Sequence, residues 1–261
     1  MCIRDRYESG GYAALAGCSI SLVDGPWGHM SAEGVQNAIR KAEGSDSHYP
    51  DCNLVCVENT ANVGGGTIYH QQTLDEICEV AHLNDCRVHL DGARIFNAAV
   101  GSGIDPARMV RDFDTVSVCL SKGLGAPVGS VLVGDSATIS ESHRWRKMLG
   151  GGMRQSGIIA AAGLYALENN IERLSEDHSK ARRLAEAISE MTNLSVDLGS
   201  VQSNMVYVDC TGVGAKEMMD RLAQRGIDVL DETDTTVRAV VHLHITEDDI
   251  DRAIEAFEAS Q

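Results

Sequence analysis

The chain has 261 residues, of which 43% are hydrophobic and 23% charged, enough apolar material for one large or two modest domains. Its formal net charge of −16 excludes a binder of phosphate backbones or anionic membrane surfaces, both of which need basic patches, but leaves room for a small anion held by local arginines. The eight cysteines form no CxxC pair and several sit in apolar patterns, which points to reduced thiols in a cytoplasmic protein rather than a disulfide scaffold or a zinc site.

Tyr7 to Gly17 reads as a short helix, Ser19 to Val23 as a strand, and Asp24 to Gly28 as a turn. Ser31 caps a helix running to Ala42, with Val35 and Ile39 on one face. Leu54 to Val57 is a strand that ends in the polar loop Glu58-Asn-Thr-Ala-Asn62. Thr73 to Asn84 is an amphipathic helix with Leu74, Ile77, Cys78 and Ala81 on its buried face and Thr73 as its cap. The strand Arg87 to Leu90 runs into Asp91-Gly-Ala-Arg94, and a short helix near Asp105 to Asp112 leads to the β-branched stretch Thr115 to Leu120.

That last stretch reads as a buried central strand followed at once by Lys122 and by Gly123, Gly125 and Gly129. Ser130 to Val133 is a further strand, and helix dominates from Ser136 to Met191, interrupted at Gly150 to Arg154. The alternation predicts an α/β fold: a mainly parallel sheet with helices on both faces and three polar motifs at strand C-terminal ends, where such sheets bind ligands. After Met191 the order is strand 204–208, helix 215–225, strand 227–230, strand 236–242 and helix 247–259, the last capped by Thr246, which predicts a small α+β domain. The expected division is a large domain over 1–160, a connecting long helix over 161–192 and the small domain over 193–261.

Each polar motif has two readings on its own. Lys122 is a solvated surface charge or an amine used for chemistry. Asp91 is a turn former or a carboxylate facing a pyridinium nitrogen, which it stabilises by charge and hydrogen bond. Arg94 is a salt-bridged surface arginine or a carboxylate clamp, and Arg238, inside an otherwise apolar strand, needs either an internal acid or a bound carboxylate. Asn59 and Thr60 sit at a strand tip. The histidines show no spacing typical of metal ligands, and Gly64-Gly-Gly66 lacks the helix start that a phosphate loop needs.

Six segments in this order and spacing resemble the low-specificity L-threonine aldolases, enzymes of the pyridoxal-phosphate fold type I superfamily. They are Glu58-Asn-Thr60, His89-Leu-Asp-Gly-Ala-Arg-Ile-Phe-Asn97, Cys119-Leu-Ser-Lys-Gly-Leu-Gly125, Pro127-Val-Gly-Ser130, Arg144-Trp-Arg-Lys-Met148 and Gly150-Gly-Gly-Met-Arg-Gln-Ser-Gly157. The resemblance runs from about Tyr7 to the C-terminus. It implies a lyase that cleaves a β-hydroxy-α-amino acid to glycine and an aldehyde, with Lys122 carrying pyridoxal 5'-phosphate through a Schiff base and Asp91 holding the pyridine nitrogen. It further implies Asn59 in the cofactor site, Arg94 at the cofactor and the substrate carboxylate, and Arg238 at that carboxylate. Lys147 and Arg154 match positions that reach a cofactor phosphate across a subunit interface, in dimers paired into tetramers.

The chain departs from that pattern in three places. Ile3 stands where the family has a cofactor-stacking histidine, within a stretch, Met1 to Arg6, that reads as foreign sequence. The family's phosphate loop and a substrate-contacting serine lie further upstream, so the expectation is an N-terminally truncated chain that binds the cofactor weakly. Ala61 replaces a histidine linked to the substrate hydroxyl, which leaves the base and the aldehyde preference open between threonine, phenylserine and β-hydroxyaspartate types. A β-eliminating lyase of the same superfamily and a non-catalytic chain are the other readings.

Overall fold

The computed structural model describes residues 10–45 and 48–261; the expected stacking position Ile3, the stretch Met1 to Arg6 and the start of the first predicted helix lie outside them. The helix expected from Tyr7 is seen from Gly11 as α1 (Gly11–Ala16), closed by Gly17 in a left-handed conformation that a side chain would resist. The segment expected as a strand, Ser19 to Val23, has no strand beside it among the described residues, so its alternating pattern finds no ladder there, and Ile20 and Leu22 stay exposed. Pro26–Gly28 forms a single 3-10 turn. Helix α2 (Ala32–Ala38) starts where expected, with Ser31 Oγ accepting from Gly34 N, but stops four residues earlier, at Ala38, because the backbone of Ile39 is already extended.

A four-stranded sheet follows, built from β1 (Leu54–Glu58), β2 (Arg87–Asp91), β3 (Thr115–Cys119) and β4 (Ser130–Gly134), side by side in chain order. The first three are parallel and β4 is antiparallel to β3. Between them lie α3 (Gln71–Leu83), α4 (Ile95–Ser102) and the single-turn α5 (Pro106–Met109), with Asp105 Oδ1 capping the last. Helix α3 begins two residues before Thr73, which is therefore inside the first turn and not its cap; the predicted buried face is correct. Helix α4 has no counterpart in the sequence reading, because its run Ile-Phe-Asn-Ala-Ala-Val is apolar on too many sides to show a helical period.

Strand side chains alternate between the faces of a sheet. Val55, Val57, Val88, Leu90 and Val116 therefore share one face, which packs with Val35 of α2, Leu74, Ile77 and Ala81 of α3, and Ile95 and Ala98 of α4. The other face is not covered as expected for a parallel sheet: Leu54 and Cys56 are exposed, and every residue of β4 is exposed. The strand before Lys122 is accordingly half-buried, with only Val116 fully inside.

The helical stretch is three helices, α6 (Ser136–Met148), α7 (Gly157–Asn169) and α8 (Leu174–Ser189), with a second break at Asn170–Arg173 that the sequence reading lacks. Helix α8 is more than a connector. Its Ala181, Leu184, Ala185 and Ile188 belong to the core of the C-terminal unit, together with Val206, Val208, Met218, Leu222, Val237 and Phe257. That unit comprises β5 (Met205–Asp209), α9 (Ala215–Ala223), β6 (Leu230–Asp231), β7 (Thr236–Val240) and α10 (Glu247–Glu258), with an antiparallel sheet ordered β5-β7-β6. Thr246 and Asp249 close a reciprocal capping box at the start of α10.

Polar side chains tie the two parts together. Ser203 Oγ donates to Gly66 O at 2.7 Å and Ile68 N donates to Gln202 Oε1 at 2.8 Å. Asn97 Nδ2 lies 3.1 Å from His178 Nε2 and 3.4 Å from Asn204 Oδ1. The amide donates, so His178 must accept with a bare Nε2, and burial lowers its pKa from the usual 6.5. A lowered folded-state value means that the unfolded chain binds the extra proton first. This contribution to stability is thus present above about pH 6.5 and lost as pH falls through it. Urea unfolding across pH 7.5 to 5.5 is expected to show that decline, and His178→Gln, which keeps an acceptor but cannot titrate, is expected to flatten it.

Candidate active site

Parallel pairing sets the site. Register places Glu58 and Asp91, the last residues of β1 and β2, side by side, with Ser117 in the middle of β3 next to Asp91. Two further backbone bonds extend the ladder, from Asn59 N to Asp91 O at 3.0 Å and from Gly92 N to Ser117 O at 2.8 Å. A Cβ on Gly92 would stand 3.0 Å from that Ser117 oxygen, a tight contact that the absence of a side chain relieves. The loops 59–62, 92–94 and 120–125 therefore open at one edge, the place where open α/β sheets bind ligands.

Asp91 is half-buried there, its Oδ1 accepting from Ala93 N at 3.1 Å. Arg94 occupies the cap position of α4 and donates from Nη1 to Asn62 Oδ1 at 3.3 Å. Arg238, on β7 of the C-terminal unit, donates from its own Nη1 to the same oxygen at 3.2 Å. Its second partner is Glu232 at 3.4 Å, while its Nε is buried without a hydrogen-bond partner among the described residues. Burial is the main force lowering the Arg94 pKa; the nearby Glu58 opposes it and the positive charge of Arg238 adds to it. Opposite Arg238 on the ladder, Tyr207 donates its hydroxyl to Asn62 O at 2.7 Å, and burial pushes that phenol up to about 12.

Lys122 has a different setting from the desolvated pocket expected of a reactive amine. It is exposed, and its Nζ makes no hydrogen bond or ion pair among the described residues. The loop that carries it is nevertheless fixed. Leu120 N donates to Gly129 O, Ala126 N to Leu120 O and Gly125 N to Lys122 O, all at 2.9 to 3.0 Å. Leu124 and Ala126 are buried against Ala166 of α7 and Leu174 of α8. Gly125 has φ +73°, and a Cβ there would lie 2.3 Å from Leu243 Cδ2. The loop is thus anchored into the helices while its lysine is left outside, at the same sheet edge as Asp91.

The remaining sequence-predicted residues are Asn59, next to Asp91 at the same edge, and Lys147 and Arg154, away from it. Asn59 is completely buried: its Oδ1 accepts from Tyr69 N and its Nδ2 reaches Met109 Sδ, so it presents no surface to a bound molecule. Lys147 lies at the exposed end of α6, 3.5 Å from Gly152 O, and Arg154 is exposed in the following loop; neither contacts the Asp91–Arg94–Arg238 group within this chain. Asn62, Tyr207 and Glu232 were not singled out from the sequence. Asn62 stood in a visible polar loop, but nothing local indicates that its oxygen collects two distant guanidiniums.

The family model for beta-eliminating lyases matches residues 5–211. Low-specificity L-threonine aldolase 1 of Arabidopsis thaliana is 37% identical over 256 residues, spanning 97% of this chain and 71% of that protein. Among solved structures, the threonine aldolase of Leishmania major superposes with a TM-score of 0.77 at 18% identity, covering 98% of this chain and 74% of that one. A PLP-dependent aminotransferase from Streptococcus suis shares the fold with a TM-score of 0.69 at 16% identity, over 89% of this chain and 61% of that one. The chain belongs to the beta-eliminating lyase family, with the α/β architecture of fold type I pyridoxal-phosphate enzymes.

Proposed function

We propose that the chain is a pyridoxal-phosphate-dependent aldehyde-lyase that cleaves the Cα–Cβ bond of L-threonine or L-allo-threonine, giving glycine and acetaldehyde. The observation that carries this reading is the meeting of Arg94 and Arg238 on one neutral oxygen at the sheet edge that also holds Asp91 and Lys122. The donor set suits the cofactor: an amine for its aldehyde, a carboxylate for its ring N–H⁺, and guanidinium forks for a substrate carboxylate. When bound, pyridoxal phosphate supplies a sink for the electron pair left at Cα.

The side chains do the rest. Lys122 Nζ, held by an anchored loop yet open to solvent, is the amine that would hold the cofactor's aldehyde. Asp91 would keep a proton on its ring nitrogen. Arg94 and Arg238 fix the substrate carboxylate, so that the bond to be broken is held in one orientation. The methyl of Ala61 takes no proton, so the β-hydroxyl proton leaves to another group. Asn59, being buried, shapes the loop from within. Lys147 and Arg154, remote from this group in their own chain, are assigned to the phosphate in a partner copy.

Association of copies is further supported by the apolar surface of α7, where Ile158, Leu164 and Tyr165 stand 86%, 59% and 64% exposed. A homo-oligomer of paired dimers follows the same reading. None of the seven described cysteines is in a disulfide, which favours the reducing cytoplasm; no helix among the described residues is long and apolar enough to cross a membrane.

The deciding experiment gives the pyridoxal-phosphate-loaded chain L-threonine, L-allo-threonine, L-phenylserine and L-serine in turn. Equimolar glycine and acetaldehyde are expected from the first two. Ammonia and a 2-oxo acid, without glycine, would place the chain among enzymes that eliminate at Cβ and would overturn the aldolase reading.

A further inference from the structure

Asn62 is placed as a coupling point between the two parts of the molecule. It is 8% exposed, in the loop after β1. Its Oδ1 accepts from Arg94 of the large sheet's edge at 3.3 Å and from Arg238 of the small sheet at 3.2 Å. Its backbone is held from both sides as well: its N–H donates to Glu58 Oε2 at 3.3 Å and its carbonyl accepts from Tyr207 Oη at 2.7 Å. Two guanidiniums repel one another, and a shared acceptor offsets that repulsion. A carboxylate would do so more strongly, but it would neutralise them and compete with an incoming anion. An amide oxygen holds both by hydrogen bonds and leaves their charge in place.

We infer that Asn62 is a positioning residue that joins Arg94 and Arg238 into one carboxylate-binding fork, and that its neutrality sets the preference for a ligand bearing a carboxylate. The inference rests on the reading of this arginine pair as the substrate-carboxylate site. It makes Asn62 act through the arginines, without touching the reacting atoms.

The test is calorimetric binding of glycine and of glycinamide to the pyridoxal-phosphate-loaded chain. The two ligands share an amine and differ only in the carboxylate. The unmodified chain is expected to favour glycine by tenfold or more, on the order of a charge-assisted hydrogen bond. Asn62→Asp, nearly isosteric, is expected to lose roughly tenfold of that preference by weakening glycine alone. Asn62→Ala should act in the same direction by letting the two guanidiniums part. A defect in folding or cofactor seating would weaken both ligands together. If Arg238→Ala abolishes the preference while both Asn62 variants keep it, the positioning role is refuted and the arginine site stands. If the unmodified chain does not favour glycine, the arginine site and the inference fall together. If neither Asn62 variant folds, Asn62 serves folding and its assignment as a positioning residue is overturned.

Discussion

Replacing Lys122 by alanine is expected to remove the visible absorbance of cofactor attached to the chain and to lower the rate of glycine formation from threonine by at least about 10³-fold. The expectation follows from the isolation of this amine. Lys122 contributes no hydrogen bond or ion pair to the fold among the described residues, and its loop is held by the backbone and by Leu124 and Ala126. The substitution should therefore leave the unfolding midpoint within the usual error of a surface change, about 0.5 kcal/mol. A variant that stays coloured and active would show that another amine carries the cofactor. One that unfolds would show that the lysine is structural.

The largest stability effect is expected at Arg173→Ala. Asp177 is wholly buried, and Arg173, itself mostly covered, reaches it with two bonds: Nη1 to Oδ2 at 3.1 Å and Nη2 to Oδ1 at 2.5 Å. Removing the guanidinium strands a carboxylate inside the protein, which costs about 3–5 kcal/mol when one partner of a buried pair is lost. The double replacement Arg173→Met with Asp177→Leu removes both charges and should recover much of that loss, because the cost comes from the unpaired charge more than from the missing attraction. Denaturant unfolding of the two variants beside the parent chain measures both numbers. Equal stability of Arg173→Ala and the parent would mean that water reaches Asp177. The pair also sits at the second helical break, next to Leu174, which packs on the Lys122 loop, so Arg173→Ala is expected to loosen that loop as well.

Local chemistry explains which features were legible. The strands around Val55, Val88 and Val116 were readable because β-branched runs ended at polar loops, and the cap at Thr246 because its box is written within four residues. Helix α4 was not readable, since a run apolar on most sides shows no clear period, and Ser19 to Val23 was misread because a strand needs a neighbour that the alternating pattern cannot promise. The exposed face of β1 and β4 was hidden for a related reason: an apolar strand reads as buried whether or not anything in the chain covers it.

The site divides along the same line. Asp91, Arg94 and Lys122 could be singled out in the sequence because each is a charge set where an apolar strand ends, and strand ends gather in one place in any parallel sheet. The inward turn of Asn59, the exposure of Lys122 and the convergence of Arg94 and Arg238 on Asn62 were decided only by tertiary structure. A contact between residues 62 and 238 depends on how the small unit docks on the large one, and side-chain direction within a loop depends on which partners the packed core leaves available. Neither quantity is encoded in the local periodicity and turn chemistry that identified the strands and their charged ends.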